Sequence, residues 1–108
     1  MGAFANNVYT DEATIDAIEA RIRELPQSAR VKVTLSNGQV YVGTVAERPN
    51  IQVFRNADGD EGNNAIVKLE DPLDAHQDAY LWIDEIVKVE RVLQGPLDPD
   101  DLKPLRPE

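Results

Sequence analysis

VKVTLSNGQVYVGTV, residues 31 to 45, alternates apolar and polar side chains on either side of Asn37-Gly38. Val31, Val33 and Leu35 point one way and Lys32, Thr34 and Ser36 the other, which is the period of a half-buried strand. Asn-Gly is the strongest short hairpin signal because both residues accept positive φ, and Val40, Tyr41, Val42 and Val45 carry the pattern onward. Two antiparallel neighbours are predicted. Gly43, inside the second strand, packs nothing and marks a sharp bend or a close backbone approach. A bent strand suits a small barrel.

Toward the N-terminus, Thr10 followed by Asp11 and Glu12 reads as an N-cap with acids in the first turn. Ile15, Ile18, Ile22 and Leu25 then line one stripe, while Asp16, Glu19 and Arg23 face away. A helix over residues 11–25 is predicted, ended by Pro26. Glu19 stands four residues before Arg23 in the favourable orientation. The stripe is too short for a free coiled coil, so it is expected to cover a sheet or a barrel opening. Residues 1–9 carry no charge and no period, and are expected to be a loosely held lead-in.

Toward the C-terminus, Arg48-Pro49-Asn50 breaks the strand pattern and residues 51–55 resume it. Residues 56–64 and 71–78 are polar connections, with strands expected at 65–70, 79–83 and 86–92. Four prolines among the last residues make 94–108 an extended or disordered tail. Residues 1–93 are thus read as one domain.

Composition bounds the role. The chain has 108 residues, 42% of them hydrophobic, and a formal charge of −9, which opposes generic binding to a phosphate backbone. DNA is not an expected partner. No cysteine is present, so disulfides, thiolate nucleophiles and Cys-containing zinc sites are excluded. No signal peptide or bilayer-spanning run is seen, which makes the cytoplasm the expected location and a membrane contact unexpected. Charge is uneven: residues 26–55 hold Arg30, Lys32, Arg48 and Arg55 against Glu47, whereas 56–85 hold nine acids against Lys68.

Residues 31–45 resemble the first conserved motif of Sm-like proteins, through Val31, Val33, Leu35, Asn37-Gly38, Val42 and Gly43. The order of elements over residues 11–92 is similar too. The resemblance implies a mainly β fold with one N-terminal helix and a five-stranded, strongly bent antiparallel Sm-like (SH3-like) barrel, in a bacterial branch of uncharacterised function. It also implies RNA binding by a loop after the bend glycine, here Pro49-Asn50-Ile51-Gln52, and ring assembly by pairing the fourth strand of one subunit with the fifth of the next. Pro49 replaces the family's Asp and Ile51 takes its stacking position without a π face. Asp84-Glu85 stands where relatives carry a basic residue. The RNA-binding candidates are therefore Arg30, Lys32, Arg48, Asn50 and Gln52.

Other chemistry is thin. With Asp58 at the first position of an EF-hand loop the register fails, and Asp74, His76 and Asp78 alternate without a fourth ligand, so no metal site is expected. No triad context and no phosphate-cradling glycine motif occurs, so neither an enzyme nor a cofactor is expected. Tyr80 and Trp82 alternate with Leu81 and Ile83, giving a strand with one aromatic face. Those two aromatics are expected either to pack on the Ile15 stripe or to form an interface. The sequence reading is a non-enzymatic module that contacts protein or itself, slightly favouring a dimer, with RNA binding as the alternative.

Overall fold

The structure, a computed structural model, describes residues 3–71 and 78–92. The expected tail at 94–108 lies outside them. Among the described residues, eight strands and one α-helix occur in the order β1 (Ala3–Phe4), α1 (Glu12–Ile22), β2 (Arg30–Leu35), β3 (Val40–Val45), β4 (Gln52–Arg55), β5 (Glu61–Asn64), β6 (Ile66–Glu70), β7 (Ala79–Trp82) and β8 (Ile86–Arg91). A 3-10 turn, Ile83–Glu85, joins the last two strands.

The strands form two sheets, one of order β7-β6-β3-β2-β8 and one of order β1-β4-β5. In the larger sheet the outermost strands are consecutive in sequence. Four steps of 3-10 chain cover about 8 Å, whereas the edges of a flat five-stranded sheet stand about 19 Å apart. The sheet must therefore curl until β7 and β8 meet at the corner that the turn makes. Among the described residues no ladder joins β7 to β8, so the expected strongly bent five-stranded barrel takes the form of a curled open sheet, with a second, smaller sheet beside it.

The expected hairpin is present, with Val31 opposite Gly43 and Val33 opposite Tyr41. The Leu35 N–H donates to Gln39 C=O at 2.8 Å and closes a connection of three residues, 36–38, in which the Gly38 N–H donates to Leu35 C=O at 2.9 Å and only Gly38 takes positive φ, at 89°. Asn37 stays in the right-handed half of the map and its side chain accepts from the Gln39 N–H instead. The ladder runs unbroken through Gly43, and β3 begins to pair with β6 at Thr44, one residue later.

Alternation then sorts the core. Val31, Val33, Leu35, Val45, Val67, Leu69 and Leu81 are buried inside the curl together with Ile83 and Ile86. Ile18, Ile22 and Leu25 close it, with Ile15 half-buried, so the helical stripe covers the sheet as expected. The helix is shorter than the predicted 11–25. Asp11 rather than Thr10 caps it, accepting from the Thr14 N–H at 2.9 Å, because a carboxylate is the stronger acceptor at that end. Its last turn tightens beyond Ile22, with Leu25 N–H donating to Ile22 C=O. Arg21, not Arg23, makes the helical ion pair, reaching Glu24 at 2.6 Å.

Two expected loops are corrected. Glu61–Asn64 is a strand paired with Gln52–Arg55, although it holds no β-branched or aromatic residue. Its register comes from the turn before it, where Asn56 accepts from the Asp58 and Asp60 amides and Gly59 takes φ of 86°. The N-terminal lead-in is pinned, not loose. β1 pairs in parallel with β4 at one edge of the small sheet, Ala5 is fully buried, and Tyr9 exchanges backbone hydrogen bonds with Asn63 at the other edge.

Candidate interaction surface

The chain leaves the large sheet after β3, where Pro49 cannot donate to a ladder, and enters the small sheet as β4. The loop between them carries Arg48 and Asn50, and Gln52 opens β4. Opposite stands the outer face of β6 and β7. Val67 and Leu69 turn into the core, so Ile66, Lys68 and Glu70 turn out, and register sets Lys68 beside Tyr80 and Ile66 beside Trp82.

These two walls enclose an open cleft of about 480 Å³. Arg48, Asn50, Gln52, Lys68 and Tyr80 line it, with Glu47 and Glu70 balancing the two cations. The Lys68 ammonium lies 5.8 Å from the Tyr80 ring centre and 3.6 Å from an Asp78 carboxylate oxygen. Tyr80, then Asp78 and Glu70, hold Lys68 in its charged form and raise its pKa.

The two aromatic candidates separate. The Trp82 ring meets Phe54 of β4 edge-on, with centres 5.1 Å apart and planes at 77°, so it fastens the small sheet to the outside of the large one. Neither aromatic follows the expectation of packing on the Ile15 stripe; Leu81 and Ile83 belong to the core that the stripe covers. Tyr80 is 68% exposed.

The RNA-binding candidates separate as well. Arg48, Asn50 and Gln52 share the cleft, whereas Arg30 is buried at the start of β2 and Lys32 sits in mid-strand between Val42 and Glu90. Ile66 and Lys68 were not singled out by the sequence, since only the β6–β7 register sets them beside Trp82 and Tyr80. Asp84 accepts a hydrogen bond from the Tyr9 hydroxyl at 2.9 Å. Burial, then that bond, push the Tyr9 phenol up to about 12.

Asp74 and His76 lie outside the described residues, and Asp78 is engaged with Lys68 and with the Asp71 amide. Among the described residues no group of three acids or histidines is placed to hold a metal ion. No helix among them is long and apolar enough to cross a membrane.

No curated protein matches the chain. Among solved structures it is similar to XC5848 from Xanthomonas campestris, whose crystal structure adopts a novel variant of the Sm-like motif. The two are 37% identical with a TM-score of 0.77, over 86% of this chain and all of that one. The curled sheet is thus a β-rich, Sm-like fold. Residues 2–92 match the family described as Domain of unknown function (DUF3247), and the chain belongs to that family.

Proposed function

We propose that the chain is a non-enzymatic binding module that contacts protein, through the surface at the outer edge of β7. The observation that carries this reading is Tyr80, a large aromatic left 68% exposed on an edge strand, with the exposed Ile66 diagonal to it on β6. Cleft cations and carboxylates balance locally, and the net charge of −9 works against a polyanion. In this reading the curled sheet is the barrel-like body of a bacterial cytoplasmic module. A second copy is one partner we include, as a dimer, since β7 and β8 are both sheet edges.

RNA binding is the second reading, favoured by one observation: Tyr80 supplies, in the same cleft as Arg48, Asn50 and Gln52, the π face that Ile51 lacks. Mobility shift with short U-rich and A-rich RNAs at two salt concentrations separates the two. The protein-contact reading expects no shift, and binding that weakens with salt overturns it. Light scattering over a concentration series tests the dimer, which a strict monomer rejects.

A further inference from the structure

The two edges of the large sheet are not equivalent. The Ile83 N–H donates to Ala65 C=O, so the ladder bonds fall at Ala65–Ile83, Val67–Leu81 and Leu69–Ala79. Tyr80 and Trp82 therefore turn their N–H and C=O groups away from β6, and no other described residue takes them up. On β8 the Val92 N–H donates to Arg30 C=O, which turns the backbone groups of Val89 and Arg91 outward. There the Val87 carbonyl accepts from Arg21 at 3.3 Å, and Glu24 holds the same guanidinium at 2.6 Å. One edge is covered at that point by a helix side chain. The other is open.

We infer that the open edge of β7 takes an extended, lysine- or arginine-bearing segment of a partner protein as a sixth strand; this rests on the protein-contact reading above. Backbone pairing supplies the attachment. Tyr80, standing exposed on the outer face of β7, meets an apolar residue of the added strand. Charge selects the rest. Asp78 precedes β7, Asp84 and Glu85 follow it, and the 56–85 stretch holds nine acids with Lys68 as its one base. Arg48 in the cleft and Arg21, which lines a hollow with Asp84, are opposing cations from outside that stretch. A second copy is the poorer occupant, because it brings the same charge of −9 and a β8 edge that Arg21 obstructs.

The test uses the full chain with a short fluorescent peptide of alternating valine and lysine, and its valine-glutamate counterpart. The lysine peptide is expected to bind, more weakly at high salt, and the glutamate peptide not to bind. Tyr80→Pro removes an outward N–H without touching the β6 ladder, and is expected to weaken binding about tenfold. Glu85→Lys weakens it too and leaves the backbone of β7 unchanged, which keeps the test open should the proline variant unfold. Amide shifts on titration should fall on residues 79–82. Equal binding of both peptides, shifts centred on residues 87–91, or self-association of the chain through β7 overturns the inference. Absence of peptide binding without RNA binding removes this inference alone; RNA binding removes the reading beneath it.

Discussion

A Cβ at Gly62 would lie 2.9 Å from the Tyr9 nitrogen, 3.0 Å from the Tyr9 oxygen and 3.0 Å from the Val8 Cβ. Two of those neighbours are backbone atoms that pair with Asn63, so they cannot withdraw cheaply. Gly62→Ala is expected to destabilise the chain by about 1–3 kcal/mol, read by denaturant unfolding, and to loosen the Tyr9 amide in hydrogen exchange. Tyr9 itself couples the same segment to the 3-10 turn through Asp84. Its folded phenol ionises near 12, above the ordinary 10.0, so the folded state keeps a proton that the unfolded state has already lost. That contribution is complete below pH 10 and disappears as pH rises toward 12. Tyr9→Phe should flatten this part of the stability profile relative to wild type, and should abolish the phenolate titration step near 12.

At the scale of elements, α1 is held mainly by what it covers. Ile18 is 3% exposed against the 3-10 turn and the sheet interior, and Ile18→Ala is expected to cost about 2–5 kcal/mol in denaturant unfolding. That stripe and the β2–β3 hairpin were both legible, because period and turn chemistry are local. β5 was not: Glu-Gly-Asn-Asn has no strand preference, and it becomes one by pairing across a glycine turn and under the N-terminal segment. The lead-in was misread for the same reason, since its partners Arg55 and Asn63 lie some 50 residues away. The candidate site was half legible. Arg48, Asn50 and Gln52 are neighbours in sequence, while Tyr80 reaches them only through the β6–β7 register, and Arg30 stands apart from them, buried as the first residue of β2.

Across the whole molecule, the unequal edges govern assembly. Arg21→Ala uncovers Val87 while leaving the buried face of α1 intact, and is expected to shift the chain toward larger species than wild type in sedimentation. Screening the net charge with salt should strengthen that shift, since copies of like sign then approach more easily. The pairing of β2 with β8 also bears on biosynthesis. Val31 waits for Arg91, so a chain emerging from the ribosome carries an early strand whose second ladder has no partner until β8 has been translated. During that interval the β2 flank is a template for mispairing, and α1, made before β2, is ready to shield it.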